Sequence, residues 1–149
     1  MNSAEQIDFL IVGQGLAGSA VALRALARKY RIALIDNPAD NHSSAVAAGL
    51  FNPITGRKMV KTWLADEIFP ALHRFYGEAE RLTGHRFFYP MPIYRPFLTP
   101  AEQNEWMGKS ADPGLRDYIE KVSVTPMFGA QVCDPFGGIT LRQCGYLDT

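Results

Sequence analysis

The sequence predicts an α/β fold that opens with a strand, helix, strand (βαβ) unit and continues into an inserted, partly antiparallel α+β region. Two observations support the opening unit. Residues 7–12 and 31–35 are short continuous apolar runs, typical of strands buried on both faces of a parallel sheet. Between them, Leu16 to about Lys29 is rich in Ala and Leu, which predicts a helix. The alternation then stops, which excludes a simple repeat of βαβ units.

The next long element is a helix predicted from about Thr62 to Leu82, where apolar residues recur every three or four positions. Pro70 lies inside this pattern and is expected to kink the helix or split it there. Four aromatic residues of the segment are predicted to be core residues rather than cofactor contacts. They are Trp63, Phe69, Phe75 and Tyr76.

Prolines punctuate residues 87–98 and allow only short or edge strands there. Thr99 then predicts a helix N-cap, with Pro100 at the first helical position and Glu102 closing a capping box. We expect that helix to end near Met107. Further short elements are predicted as a helix at 113–120, strands at 122–125 and 130–133, and an antiparallel pair formed with 139–141.

Composition excludes several function classes. The chain has 149 residues, of which 47% are hydrophobic and 20% charged, a globular balance rather than a disordered one. Lys+Arg and Asp+Glu both number 15, so no net field favours a nucleic-acid partner. The acidic start, with Glu5 and Asp8, is unlike a signal peptide, and no apolar run is long enough for a membrane span. These features predict a cytoplasmic protein, with Cys133 and Cys144 as free thiols.

A glycine motif, G-x-G-x-x-G, occupies residues 13–18, directly after the first strand and at the head of the helix. The first glycine permits a sharp turn, the second lets phosphates approach the backbone, and the third lets helix and strand pack closely. The helix N-terminus then faces a dinucleotide pyrophosphate. Asp36, at the end of the second strand, is placed for the adenosine ribose and disfavours a 2′-phosphate. The predicted cofactor-binding residues are therefore Gly13, Gly15, Leu16, Ala17, Gly18 and Asp36.

The opening segment, residues 11–22, resembles that of the FAD-dependent amino-acid and amine oxidoreductases of the D-amino-acid oxidase superfamily, which includes the glycine oxidase-like enzymes. Residues 43–45 and 48–50 are similar to that family's second cofactor segment. Residues 52–56 are similar to a subgroup related to the flavin domain of a bacterial tRNA-modifying enzyme. The resemblance implies a Rossmann-like FAD-binding start and adds five expected cofactor contacts. They are Ser43, Ser44, Gly49, Asn52 and Gly56.

The same resemblance implies a reaction and a domain plan. The reaction is hydride transfer from the carbon bearing the amine of an amine or amino-acid substrate to flavin. Residues 1–60 would begin the FAD domain and residues 61–149 the substrate or cap region, with the C-terminal half of the family fold absent. We expect the chain alone to bind FAD weakly and to be inactive, and its unfinished sheet makes a homodimer plausible. The resemblance assigns no catalytic residue within these positions.

Two other function classes stay open from the sequence. One is an NAD-dependent dehydrogenase, which would need further βαβ units. The other is a non-catalytic nucleotide-binding module, or the flavin half of an RNA-modifying enzyme with a basic cluster facing a polyanion. That cluster consists of Arg57, Lys58 and Lys61.

The remaining polar candidates are weaker. Tyr94 and Arg95, on a predicted strand, could bind a substrate carboxylate. His42, His73 and His85 have no metal-ligand spacing, so no metal site is predicted. A role near the cofactor loop is considered only for His42.

Overall fold

The computed structural model describes residues 6–37, 43–55, 58, 60–128 and 133–148. It contains two compact units, one within Met1–Gly49 and one formed by Leu50–Asp148. The architecture is mixed α/β, as the sequence predicts. No helix in the described part of the chain is both long and apolar enough to span a membrane.

The first unit is a parallel strand pair joined by a helix. Strand β1 (Phe9–Val12) pairs in parallel with β2 (Ile32–Ile35), with Phe9 opposite Ile32 and Val12 opposite Ile35. Helix α1 (Leu16–Ala27) connects them. The three predicted elements are confirmed, although β1 starts two residues later than predicted and α1 ends two residues earlier.

One expectation about this unit is wrong. The first strand was expected to be buried on both faces, but Ile11 is its only buried residue and Val12 is 78% exposed. The physical reason is that α1 packs on one face of the strand pair. A Cβ at Gly18 of α1 would lie 3.7 Å from the Ile11 side chain, so the helix covers that face closely.

The described residues of the second unit form three antiparallel sheets and two helices. One sheet has the order β3 (Leu50–Phe51), β10 (Gly145–Leu147), β6 (Phe88–Pro90). Another has the order β7 (Ile93–Pro96), β9 (Gly138–Leu141), β8 (Ile119–Ser123). The third pairs β4 (Ile54–Thr55) with β5 (Val60–Lys61). The proline-containing strands β6 and β7 both lie at sheet edges, as predicted.

Helix α2 (Ala65–Thr83) is continuous, so the split expected at Pro70 does not occur. Pro70 is the sixth helical residue, and only one backbone hydrogen bond is lost there. The helix begins three residues later than predicted, after Leu64, which has a left-handed φ of 52°. Trp63 therefore precedes the helix and is 79% exposed, so its assignment to the core is wrong. Phe69 is buried as predicted.

Helix α3 (Pro100–Ser110) has the predicted start and runs three residues beyond the expected end. The Glu102 amide donates to Thr99 Oγ1 at 3.2 Å, which confirms the N-cap. The Glu102 carboxylate accepts from the Leu98 amide at 2.8 Å, one residue before the amide that a capping box uses.

The helix predicted at 113–120 is absent, because turns occupy 113–118 and β8 begins at Ile119. Asp112 Oδ1 accepts from the Gly114 amide at 2.8 Å, an Asx turn that competes with helix formation. The strand predicted at 130–133 lies outside the described residues except for Cys133, which is in a turn. Residues 139–141 do pair in antiparallel fashion, with β7 and β8, whereas the hairpin partner expected at 130–133 is not tested by the described residues. Of the strand predicted at 122–125, only 122–123 belong to β8.

The core of the second unit lies between its helices and the β7-β9-β8 sheet. Trp106 of α3 and Ile139 of β9 are fully buried, with Phe97, Tyr118 and Leu141 nearly so. Aromatic rings extend this packing at the β6 side, where Tyr76 and Phe51 both stack on Phe88.

Candidate functional site

The turn between β1 and α1 depends on glycine at two positions. Gly13 has a φ of +95°, a left-handed conformation that side chains disfavour. A Cβ at Gly18 would overlap the carbonyl oxygen of Gly13. The Gly13 amide donates to the Ile35 carbonyl at 2.8 Å, which ties the turn to the end of β2. These contacts bring the first turn of α1 close to the carboxyl ends of both strands.

The N-terminus of α1 has no capping side chain from the residues next to it in sequence. Gly15 is the N-cap and supplies no side-chain hydrogen bond, and the first turn has no acidic residue. Instead, Ser44 Oγ accepts a hydrogen bond from the Leu16 amide at 3.0 Å. A Cβ at Gly15 would lie 3.2 Å from the same oxygen. The structure therefore brings Ser44 to Gly15 and Leu16, although Leu16 and Ser44 are 28 positions apart in sequence.

Asp36 directly follows β2 and lies at the same turn. Its Oδ1 accepts a hydrogen bond from the Gln14 amide at 3.1 Å, and the residue is exposed. Four of the predicted cofactor residues, Gly13, Gly15, Leu16 and Gly18, thus form one turn with Asp36 at its side. Ala17 lies in the first turn of α1.

The remaining predicted contacts fall in other places. Ser43 is exposed in the turn before Ser44, and Gly49 has a left-handed φ of 66°. Asn52 belongs to the second unit, where its Oδ1 accepts from the Ile54 amide at 2.9 Å and contacts the Cys144 thiol at 3.7 Å. The contact with Ile54 forms a local turn, and the contact with Cys144 joins residues 92 positions apart. Gly56, together with His42 and Arg57, lies outside the described residues.

Two residues of the basic cluster, Lys58 and Lys61, make contacts within the second unit. Lys61 Nζ pairs with Asp66 Oδ2 at 2.7 Å, donates to the Gly114 carbonyl at 3.2 Å and lies 5.7 Å from the centre of the Tyr118 ring. Lys58 is exposed, and its carbonyl oxygen accepts from Lys109 Nζ at 2.7 Å. Lys61 therefore fixes the start of α2 against the turn at 113–118.

Two long-range tyrosine–aspartate pairs hold the described part of the second unit together, and neither was predicted. Tyr118 donates to Asp66 Oδ1 at 2.6 Å and Tyr94 to Asp134 Oδ2 at 2.6 Å. Burial and the Asp134 hydrogen bond raise the pKa of Tyr94 to about 12, and burial raises the pKa of Tyr118 well above its usual range. The Tyr94 hydrogen bond and two backbone amides lower the pKa of Asp134. These pairs join residues 40 and 52 positions apart, so no local sequence signal could reveal them.

The Tyr94 hydroxyl is thus committed to Asp134, which disfavours it as a ligand for a substrate carboxylate. His73 packs edge-on against Phe51 and Phe88, and His85 Nδ1 lies 2.8 Å from the Thr83 carbonyl oxygen. Within the described ranges, no group of three or more His, Cys, Asp or Glu residues could hold a metal ion.

Comparison with known protein families places the chain in the class of flavin-dependent oxidoreductases. The sequence model of the FAD dependent oxidoreductase (DAO) family matches residues 8–149. The chain therefore belongs to this family, and its cofactor is FAD. The match supports the flavin interpretation over the nicotinamide alternative.

Proposed function

We propose that this protein oxidises an amine or amino acid by hydride transfer to FAD, as a glycine oxidase-like member of its family. Residues 13–18, Ser44 and Asp36 would hold the nucleotide part of FAD in a Rossmann-like site. The supporting observation is the hydrogen bond of 3.0 Å between the Leu16 amide and Ser44 Oγ. A hydroxyl oxygen there stands in for the phosphate oxygen that a helix N-terminus attracts.

The residues of the turn fit a pyrophosphate. Gly15 leaves room beside the Leu16 amide, and α1 has no acidic side chain in its first turn to repel an anion. The amides of Leu16 and Ala17 and the partial positive charge of the helix end would bind phosphate oxygens. Ser44 can rotate its hydroxyl and donate to the phosphate, since a serine hydroxyl both donates and accepts.

Asp36 fits the ribose. Its carboxylate is oriented by the Gln14 amide at 3.1 Å, and a carboxylate can accept several hydrogen bonds at once. We infer that it accepts hydrogen bonds from the ribose hydroxyls. Residues 1–60 would thus begin the FAD domain and residues 61–149 the substrate or cap region. Ser43, Gly49, Asn52 and Gly56 are secondary candidates for cofactor contacts.

The chemistry divides between cofactor and protein. When bound, FAD supplies the acceptor for the hydride. The residues proposed here bind and orient its nucleotide end, and none of them is assigned a proton transfer. The substrate class, an amine or amino acid, rests on the resemblance of residues 11–22 to the amine and amino-acid oxidoreductases.

A titration with FAD, followed by backbone amide NMR shifts, tests the binding site. We expect saturable shifts at residues 13–19 and Ser44. The substitutions Gly15→Val and Ser44→Ala should each weaken binding about tenfold, since each removes or blocks a phosphate hydrogen bond. Ser110→Ala, at the end of α3, is the control and should leave affinity unchanged. FAD that binds without shifting residues 13–19 would overturn the site.

The reaction needs a separate test, made on a form of the protein extended by the C-terminal half of the family fold, because the chain alone is expected to be inactive. The FAD-loaded protein is mixed anaerobically with a panel of amines and amino acids while the visible flavin absorbance is recorded. Bleaching by a member of the panel supports hydride transfer from that substrate class. Loaded protein that no member bleaches, but that another class of reductant does, would overturn the substrate assignment and leave the binding site intact.

A further inference from the structure

A surface groove of about 350 Å³ lies at the C-terminal end of α2, in the second unit. Two glycines leave part of its surface without side chains, and basic side chains lie beside them. Its lining consists of Gly77, Glu80, Arg81, Gly84, His85 and Arg86.

The two glycines keep the groove open. A Cβ added at Gly77 or Gly84 would have no atom within 4 Å, so these positions border free space. Gly84 also ends α2 in a left-handed conformation, with φ 70° and its amide donating to the Glu80 carbonyl at 2.9 Å. The chain therefore turns at this point and places His85 and Arg86 beside the last turn of the helix.

Each arginine of the lining is oriented by a contact that uses only part of its donor set. Arg81 Nε donates to the Gly77 carbonyl at 3.2 Å. The guanidinium of Arg86 lies 5.0 Å from the centre of the Tyr89 ring. A guanidinium has five N–H donors, so both arginines retain donors for a ligand. The His85 Nδ1 lies 2.8 Å from the Thr83 carbonyl oxygen, so the ring donates to a ligand through Nε2 only in its protonated form.

Glu80 is the acidic residue of the groove, and its side chain accepts hydrogen bonds from the backbone. Its Oε1 accepts hydrogen bonds from the amides of Phe87 and Phe88, both at 2.8 Å. These two bonds lower the pKa of Glu80, with a smaller contribution from the charge of Arg86. The lining therefore carries two permanent positive charges, on Arg81 and Arg86, and one carboxylate, on Glu80. One oxygen of that carboxylate already accepts hydrogen bonds from backbone amides.

We propose that this groove binds a phosphate-type oxyanion, either inorganic phosphate or a phosphomonoester, through Arg81, Arg86 and His85. Planar guanidinium groups match the oxygens of phosphate in geometry and charge, and a glycine floor admits the anion close to the backbone. The site is independent of the FAD proposal. The competing explanation is that these cations only stabilise the negative end of α2.

The test is an amide NMR titration of the whole chain with sodium phosphate, against sodium chloride at matched ionic strength. We expect saturable shifts at Gly77, Gly84 and His85, with a dissociation constant on the order of millimolar. Arg81→Gln and Arg86→Gln should each weaken phosphate binding about tenfold. Arg74→Gln is the matched control, because Arg74 lies on the same helix outside the groove.

The outcomes are distinguishable. A phosphomonoester that binds more tightly than inorganic phosphate identifies a phosphorylated metabolite as the ligand, and the reverse identifies free phosphate. Equal shifts in phosphate and chloride would overturn the proposal and leave the cations as partners of the helix end. Shifts caused by single-stranded RNA but by neither small anion would overturn it as well.

Discussion

The two compact units bury their apolar residues to very different degrees. In the first unit, Val12 and Ile35 lie opposite each other in the parallel pair, yet they are 78% and 56% exposed. In the second unit, Trp106 and Ile139 are completely buried. Helices cover the antiparallel sheets there, whereas one helix covers one face of the strand pair in the first unit. A continuous apolar run therefore predicts a strand correctly but does not predict how deeply the strand is buried.

The largest effect is expected from Trp106→Ala. Removing this fully buried ring should lower the free energy of unfolding by about 3 to 5 kcal/mol. The loss should fall toward the lower value, because the Trp106 Nε1 is buried without a partner among the described residues. Urea denaturation followed by circular dichroism measures it. Trp63→Ala is the matched control, and its exposed ring should change stability by less than about 0.5 kcal/mol. An equal loss of unfolding free energy in the two variants would contradict the difference in burial between Trp106 and Trp63.

Gly18→Ala tests the first unit and should have the next largest effect. The added Cβ would overlap the Gly13 carbonyl oxygen, and a backbone atom cannot rotate away, so a cost of about 1 to 3 kcal/mol is expected. Faster hydrogen exchange of the β1 and α1 amides would report it. Gly108→Ala in α3 has open space around it and should stabilise the protein by about 0.5 to 1 kcal/mol. Unchanged exchange in Gly18→Ala would show that the turn can relax.

Thr99→Ala should have a smaller effect, confined to the start of α3. Loss of the hydrogen bond from the Glu102 amide to Thr99 Oγ1 should lower the free energy of unfolding by about 1 kcal/mol. Thermal or urea unfolding measures the change. Asn104→Ala, at an exposed position inside α3, is the control and should not destabilise the protein. A similar loss in both variants would argue against the cap.

The pair Tyr94 and Asp134 should make the free energy of unfolding depend on pH only in the acid and alkaline extremes, so this pH dependence is the smallest of the expected effects near neutrality. Because folding raises the pKa of Tyr94 from 10.0 to about 12, its contribution is present below pH 10.0 and is lost as pH rises toward about 12. Folding lowers the pKa of Asp134 below 3.8, so that contribution is lost as pH falls below this value.

Urea midpoints measured across the alkaline range test the tyrosine half of this prediction. Tyr94→Phe should flatten the decline between pH 10.0 and about 12, which is the interval set by the shifted pKa. Tyr30→Phe, at an exposed ring, serves as the control and should leave the decline intact. An unchanged pH profile in Tyr94→Phe would contradict the assignment.

Local signals in the sequence predicted much of this structure. Thr99 and Pro100 fix the start of α3 through their own geometry, and the prolines of β6 and β7 exclude both strands from sheet interiors. The glycine spacing and Asp36 predicted a turn whose members do lie together. Each of these features depends on residues close in sequence or on a steric rule that one residue type satisfies.

Other features depend on tertiary contacts and were not predictable. Asp112 followed by Pro113 resembles a helix start, but the Asx turn at Asp112 and the burial of Tyr118 hold residues 113–118 as turns. Trp63 fits the apolar period of α2, yet the left-handed Leu64 starts the helix after it. Asp66, Tyr118 and Asp134 act through partners 40 or more residues away, which periodicity does not detect.

The thiols of the two cysteines are expected to differ strongly in reactivity. Cys133 is exposed, whereas Cys144 is buried beside Asn52 and burial raises its pKa to about 11. An alkylating reagent should therefore modify Cys133 at once and reach Cys144 only when the segment between β9 and β10 opens. The slow phase of labelling would then report how readily this segment opens in the native protein, without any mutation.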